Sequence, residues 1–155
     1  MSDLKARLQS DLTGAMRGRD ELRTATLRMA LTAIRAEEVA GSVARELTDA
    51  DVVTVLGREA RKRREAATAF EDGDRPERAQ RERDELVVIE GYLPAQLSDG
   101  DLTALVTEAV AAAAAGGATG PAAMGRIMKA VQPRVAGLAE GSRVAAEVRR
   151  QLTAS

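Results

Sequence analysis

Seven residues near the end of the chain combine side chains and turns that could bind phosphate. They are four cations and three glycines: Gly125, Arg126, Lys129, Arg134, Gly137, Gly141 and Arg143. Guanidinium and ammonium groups attract phosphate oxygens, and the absence of a side chain lets backbone amides approach an anion closely. Helix N-termini add donors and a favourable dipole. These residue types favour a nucleic-acid-binding surface. The competing interpretation makes Gly125 a helix–helix contact and the other two glycines turn residues.

The basic residues are unevenly distributed, although the formal net charge of the chain is only −1. The segment from residue 120 onward contains six cations and only two acids. The cations are Arg126, Lys129, Arg134, Arg143, Arg149 and Arg150, and the acids are Glu140 and Glu147. Such an excess can steer a polyanion to one end of a protein, whereas the alternative is an ordinary solvated helix surface.

The densest basic run lies in the middle of the chain, at Arg61, Lys62, Arg63 and Arg64. Guanidinium forks match phosphate oxygens, so this run is a secondary basic patch that could contact nucleic acid or a protein partner. The alternative is a solvated helix face in which Glu59 pairs with Arg63 and Arg61 pairs with Glu65. Pairs at this four-residue spacing contribute only about 0.2–0.5 kcal/mol each.

The composition removes most catalytic chemistry. The chain has no histidine and no cysteine, which excludes imidazole bases, thiolate nucleophiles, disulfides and the common zinc ligands. The acidic pairs Glu37–Glu38 and Asp49 with Asp51 lie near predicted helix ends, where capping and the helix dipole account for them. We therefore expect no intrinsic enzymatic activity, no cofactor and no metal.

Helical periodicity runs through the whole chain, and no segment alternates at period two, so the predicted fold is all-α. The expected helix starts are capping residues and first-turn prolines: Ser2, Asp20, Thr48 with Asp51, Pro76, Ser98 with Asp101, and Thr119 with Pro121. The expected ends are Gly18, Gly41, Gly73, Pro94, Gly116 and Pro133. These signals predict an N-terminal region of about four helices, residues 1–97, and a compact three-helix C-terminal bundle, residues 98–155.

Apolar and aromatic residues are assigned mainly to the interior. Met16, Met29, Met124 and Met128 fall on apolar stripes and are predicted to fill the core. Tyr92 either stacks on an unpaired base or, the favoured interpretation, is packed against Leu93 and Leu97 with its hydroxyl bonded to a polar group. No apolar run approaches the roughly 20 residues of a membrane span, and the first residues lack the pattern of a signal peptide. The expected location is the cytoplasm, without membrane contact.

Several blocks of the sequence resemble the GatB/YqeY family. Residues 124–135, followed by Gly137 and Gly141, are similar to a Met-Gly-Lys-Val-Met-like run that precedes Pro-Lys-Val and a Gly-Arg-Ala-Asp-Gly-like turn. The other similar blocks are residues 11–16 with 27–29, 92–98, and 58–59 with 62–65. The resemblance covers nearly the whole chain.

This resemblance implies a free-standing YqeY-like protein, similar to the tail domain of the GatB subunit of the tRNA-dependent amidotransferase, which helps to hold tRNA. It implies tRNA contacts for Arg126, Lys129 and Arg134, and backbone roles for the three glycines named with them. The chain departs from the family pattern at Leu138 and Glu140, where arginine and aspartate are usual. The first change removes one expected phosphate contact, and the second weakens an N-cap.

The leading hypothesis is a non-catalytic tRNA-binding or tRNA-associated accessory module related to aminoacyl-tRNA amidation. The first alternative is an adaptor whose partner is an aminoacyl-tRNA synthetase or an amidotransferase subunit. The second is a carbon–nitrogen ligase with glutamine as amido-N-donor, an activity that the family association suggests. The chain has neither a glutaminase nucleophile nor a phosphate-cradling Gly-rich loop with its lysine.

Overall fold

The computed structural model describes residues 1–154 and is built of helices joined by short connections. Those residues form seven α-helices and one short 3₁₀ helix, with no strand among them, so the predicted all-α class is confirmed. The α-helices are α1 (Asp3–Arg17), α2 (Glu21–Glu38), α3 (Asp49–Asp72), α4 (Pro76–Glu90), α5 (Asp99–Ala115), α6 (Met124–Val135) and α7 (Gly141–Ala154). Within residues 1–154, every helix is too short or too polar to cross a lipid bilayer.

Local capping explains where most helices begin. Ser2, Asp20 and Ser98 each accept a hydrogen bond from the backbone N–H three residues further on. Thr48 and Asp51 form the predicted reciprocal capping box: Thr48 Oγ1 accepts from Asp51 N at 3.2 Å, and Asp51 Oδ2 accepts from Thr48 N at 2.9 Å. Each such cap contributes about 1 kcal/mol by satisfying donors that have no partner within the helix.

The start and end of α6 differ from the prediction. Pro121–Ala123 forms the 3₁₀ helix, so α6 begins at Met124, and no Thr119 cap starts it. The helix also continues past Pro133 to Val135. A proline near the end of a helix removes only one backbone donor, and the buried side chain of Val135 holds the last turn against the core.

Residues Met1–Leu93 form one compact unit that contains α1–α4. Helix α3 packs against α4, and α1 packs against α2, which also contacts α3 and α4. The core consists of small and medium aliphatic side chains with one aromatic. Its fully buried large members are Leu8, Leu27, Ile34, Val52, Leu56 and Ile89.

Residues 94–154 form a second compact unit, in which α5, α6 and α7 each pack against the other two. The predicted four-residue stripe of α7, Val144, Val148 and Leu152, is buried. It meets Ile127 and Val131 of α6 in a separate hydrophobic core. Four-residue spacing keeps each stripe on one side of its helix, which leaves the other sides for charged residues.

The two units divide after Leu93, whereas the sequence predicted a boundary after residue 97. Residues 94–97 belong to the second unit because they bond to it. Leu97 N donates to the carbonyl oxygen of Leu138 at 2.8 Å, and Gln96 Nε2 donates to that of Gly137 at 3.1 Å. Leu97 also packs on the C-terminal core.

Candidate nucleic-acid interface

Helix α6 presents the three predicted cations of its sequence to solvent. Ile127, Val131 and Val135 are buried, whereas Arg126, Lys129 and Arg134 are exposed. Residues three apart on a helix are surface neighbours, so Arg126 and Lys129 lie side by side, away from the buried stripe.

Three cations of the C-terminal unit have no ionic partner within residues 1–154. They are Arg126 and Lys129 on α6 and Arg149 on α7. All three are exposed. An exposed, uncompensated charge keeps its full attraction for an incoming anion, so these residues are the strongest phosphate candidates of the unit.

The other three cations of this unit are ion-paired. Arg134 Nη1 lies 3.4 Å from Glu108 Oε1, Arg143 Nη2 lies 2.8 Å from Asp99 Oδ1, and Arg150 Nη2 lies 2.6 Å from Glu147 Oε1. Hydrogen bonds from Arg150 and Gln151 lower the pKa of Glu147 to about 2. Two of the three partners, Asp99 and Glu108, lie on α5, so the packing of α5 removes much of the cationic excess counted from residue 120 onward.

Two of these ion pairs are weak enough to exchange for a phosphate. The carboxylate side chains are 69% exposed in Glu108 and 98% exposed in Asp99. Exposed pairs of this kind contribute about 0–1 kcal/mol, because water screens both charges. Arg134 and Arg143 therefore remain available to an anion, although each is compensated in the protein alone.

The predicted glycines fall into two groups. Gly137 has φ of 76°, a left-handed conformation that strongly favours glycine, so the turn after α6 requires a glycine there, while a phosphate contact of its backbone stays a prediction. A Cβ at Gly125 or Gly141 would meet nothing within 4 Å. The interpretation of Gly125 as a helix–helix contact is therefore wrong, and close approach of phosphate to the backbone there stays a prediction.

Leu138 and Glu140, the two departures from the family pattern, both lie in the connection between α6 and α7. Leu138 is half-buried, and its carbonyl oxygen accepts the hydrogen bond from Leu97. Glu140 occupies the N-cap position of α7, since its carbonyl oxygen accepts from Val144 N at 3.0 Å. Leucine at position 138 thus provides no cation for phosphate in the turn between α6 and α7.

Two features of the C-terminal unit lie outside the predicted site. Arg149 was counted in the charge balance but not in the site; its position off the buried stripe of α7 is the signal that marks it. The second feature is Gly116, the C-cap of α5, against which the guanidinium of Arg126 lies. No local pattern indicates that contact, because it joins two helices.

The basic run of α3 is not a row of four solvated cations. Every one of its members has a carboxylate partner: Arg61 with Glu65 at 2.8 Å, Lys62 with Glu59 at 3.0 Å, Arg63 with Glu59 at 3.0 Å and Glu85 at 3.2 Å, and Arg64 with Glu90 at 3.2 Å. Both predicted four-residue pairs are confirmed. The side chain of Arg63 is only 3% exposed, so its guanidinium is not available to a ligand. A role for Arg61, Lys62 and Arg64 in binding stays a prediction.

Tyr92 is buried as predicted, whereas two methionines that were predicted to be buried are exposed. The hydroxyl of Tyr92 donates to Asp11 Oδ2 at 2.5 Å and accepts from Arg23 Nη2 at 2.8 Å. Tyr92 is buried in the core of the first unit, against which Leu93 also packs, so the packed interpretation is confirmed, while a contact with Leu97 stays a prediction. Met16 and Met29 are each about half exposed, so their assignment to the core is wrong. Met16 lies in the last turn of α1, and Met29 lies off the buried stripe of α2, which periodicity alone does not reveal.

The described residues form an all-α protein whose C-terminal unit exposes two neighbouring cations on α6, Arg126 and Lys129, and a third, Arg149, on α7. The family model described as Yqey-like protein matches residues 5–152. The chain therefore belongs to the YqeY-like family. A comparison with curated proteins finds no significant match.

Proposed function

We propose that this protein is a non-catalytic tRNA-binding accessory module related to aminoacyl-tRNA amidation. The proposal depends on two neighbouring cations of α6, Arg126 and Lys129, which are exposed and have no ionic partner within residues 1–154. Arg149 on α7 is exposed and lacks such a partner as well. The resemblance to the tail of the GatB subunit supplies the identity of the polyanion. A surface of fixed helices that presents cations is suited to the phosphate backbone, which gives affinity without reading sequence.

The expected mode of binding is electrostatic. Arg126, Lys129 and Arg149 contact phosphates directly, and Arg134 and Arg143 join by exchanging an exposed carboxylate for a phosphate oxygen. Each contact releases counterions from the nucleic acid, so affinity falls as salt rises. For three to five contacts the logarithm of the affinity should change with the logarithm of salt at a slope of about −2 to −4.5.

Titration of labelled tRNA at several salt concentrations tests this proposal. The variant Arg126→Gln/Lys129→Gln should reduce the size of the slope by about 1.5, since two contacts are lost. The matched control is Arg58→Gln/Arg83→Gln, which removes the same charge from two exposed arginines that are already paired with Glu37 and Glu71. Absence of binding at low salt, or binding that salt does not change, would overturn the proposal.

The non-catalytic part of the proposal has its own test. The purified protein is incubated with misacylated tRNA, glutamine and ATP, with and without amidotransferase subunits. We expect amidation only when those subunits are present. Amidation by this chain alone would instead support the carbon–nitrogen ligase alternative.

A second candidate function, an adaptor for a synthetase or an amidotransferase subunit, is favoured by exposed apolar side chains between α2 and α3. Val39 and Val43 are 65% and 76% exposed. If they bind such a partner, Val39→Ser/Val43→Ser should abolish co-purification of these subunits, because the apolar contact is lost. Arg126→Gln/Lys129→Gln should leave that co-purification unchanged.

A further inference from the structure

The N-terminal unit has its own set of unpaired arginines, and they are concentrated in the hairpin formed by α1 and α2. Four arginines there have no carboxylate partner among the described residues: Arg17, Arg19, Arg28 and Arg35. Most other cations of this unit are ion-paired, including all four of the basic run on α3. The exceptions are Arg75 and Arg78, near the start of α4.

Two of these arginines line one groove. The groove has a volume of about 510 Å³, and Arg19 and Arg28 border it together with Met16, Thr24, Ala25 and Glu21. Arg19 lies in the turn between the helices, in the left-handed conformation with φ of 56°. Arg28 is exposed, and its guanidinium reaches across to α1, where Nη2 donates to Met16 Sδ at 3.8 Å.

Arg35 extends this cationic surface along α2. It follows Arg28 by seven residues, which is about two helical turns or 10 Å, so the two side chains leave α2 in nearly the same direction. That direction is away from the buried Leu27, Leu31 and Ile34. Arg28 and Arg35 are both exposed.

The two acids that lie between the arginines of the hairpin in sequence each have another contact. Asp20 caps α2 by accepting from Arg23 N at 3.0 Å. Glu21, on the border of the groove, has its carboxylate 3.7 Å from Arg81 Nη2. Residues 16–35 contain five arginines against these two acids, although the N-terminal unit as a whole has more acids than bases. The cationic surface is therefore local to the hairpin.

We propose that the α1–α2 hairpin is a second phosphate-binding surface of this protein and that its ligand is the RNA backbone. This inference rests on the proposed tRNA function and adds a contact region outside the C-terminal unit. Arginine is the cation whose planar fork matches phosphate oxygens bidentately, and all four unpaired cations of the hairpin are arginines. Thr24 adds a hydroxyl to the lining of the groove, and Met16 and Ala25 add apolar surface that a ribose can contact.

The test uses the full chain and labelled tRNA over a range of salt. The hairpin variant is Arg19→Gln/Arg28→Gln/Arg35→Gln; Arg17 is kept, because a cation in the last turn of α1 stabilises that helix. The matched control is Arg45→Gln/Arg58→Gln/Arg83→Gln, which removes three arginines that are paired with carboxylates. We expect the hairpin variant to weaken tRNA binding at least about tenfold near 0.1 M salt and to reduce the size of the slope by about 2. The control variant should change both the tRNA affinity and the salt slope less than the hairpin variant does.

A second measurement avoids substitutions and so does not depend on a variant folding. The wild-type protein is treated with phenylglyoxal, with and without tRNA, and the modified arginines are located by mass spectrometry. We expect tRNA to protect Arg19, Arg28 and Arg35, whereas Arg75, which is exposed and unpaired in the same unit, stays reactive.

The outcomes separate this inference from the proposed function. If the hairpin variant behaves like its control and tRNA protects none of the three arginines, while Arg126→Gln/Lys129→Gln still weakens binding, the hairpin inference is overturned and the proposed function stands. If the wild-type protein does not bind tRNA at all, both are overturned.

Discussion

The guanidinium of Arg126 lies against Gly116, so close that a Cβ added to the glycine would meet Arg126 Nη2 at 2.7 Å. Gly116 is the C-cap of α5, and its N–H bonds back to the carbonyls of the last turn of that helix. The end of α5 therefore determines where an α6 cation can be placed. This relationship connects the packing of the C-terminal unit to its candidate phosphate surface.

Replacing Gly116 with alanine should displace Arg126 without unfolding the unit. The backbone there has φ of −87°, which alanine adopts without strain, and the atoms that must move belong to the end of a flexible side chain. We expect an unchanged melting temperature and a loss of tRNA affinity of up to about tenfold, the size of one phosphate contact. Gly57→Ala, whose Cβ would meet nothing within 4 Å, is the control and should leave tRNA affinity unchanged. Equal affinity of both variants would show that the position of Arg126 is irrelevant.

Gly125→Ala separates stability from ligand approach. The new Cβ has open space in the first turn of α6, so we expect the free energy of unfolding to rise by up to about 1 kcal/mol. If phosphate approaches the bare backbone beside Arg126, the same methyl group should weaken tRNA binding. Denaturant unfolding and tRNA titration measure the two effects. A more stable variant with wild-type affinity would remove Gly125 from the site.

The buried position of Arg63 predicts a large effect on stability. Its Nη1 contacts Glu59 Oε2 at 3.0 Å, and its Nε contacts Glu85 Oε2 at 3.2 Å, between α3 and α4. Arg63→Ala leaves two largely buried carboxylates without their shared cation, so we expect a loss of about 3–5 kcal/mol in the free energy of unfolding.

The neighbouring Arg61 provides the control for Arg63. It is exposed and pairs with Glu65 within one helix, so Arg61→Ala should cost less than about 1 kcal/mol. Urea unfolding followed by circular dichroism compares the two variants. Similar losses for both would contradict a structural role that is specific to Arg63.

Features that depend on one helix could be predicted from the sequence. The Thr48–Asp51 capping box, the Val144 stripe and the Arg61–Glu65 pair each follow from spacing within a single helix, which fixes which residues are neighbours. These patterns were enough to predict the all-α class.

Features that depend on how helices pack could not be predicted in the same way. Arg134 is paired with Glu108, 26 residues earlier, and Arg63 reaches Glu85 on the next helix. Counting charges along the chain therefore overstated the free cations of the C-terminal segment and of the α3 run. Charge counting also does not identify the α1–α2 hairpin, because its arginines are scattered in the sequence. They differ from most other cations of the unit only in having no carboxylate partner, which the sequence does not show.

Tyr92 gives a prediction that a simple spectroscopic titration can check. Burial, and then the hydrogen bond to Asp11, raise the pKa of Tyr92 to about 12. Because the folded-state pKa lies above the unfolded value of about 10, the contribution of this group to stability is complete below pH 10 and is lost as pH rises toward 12. Tyr92 is the only tyrosine, and the chain has no tryptophan, so phenolate absorbance reports this residue alone.

We expect the native protein to ionise Tyr92 near pH 12, or abruptly at the pH at which it unfolds, and the urea-unfolded chain to ionise it near pH 10. Tyr92→Phe should lower the free energy of unfolding by about 1 kcal/mol, since Asp11 and Arg23 lose a shared hydrogen-bond partner. Loss of stability in wild type between pH 10 and 12 should be smaller in Tyr92→Phe, which has no phenol to ionise. A native titration near pH 10 would show that the hydroxyl is solvated and that the contact with Asp11 does not persist in solution.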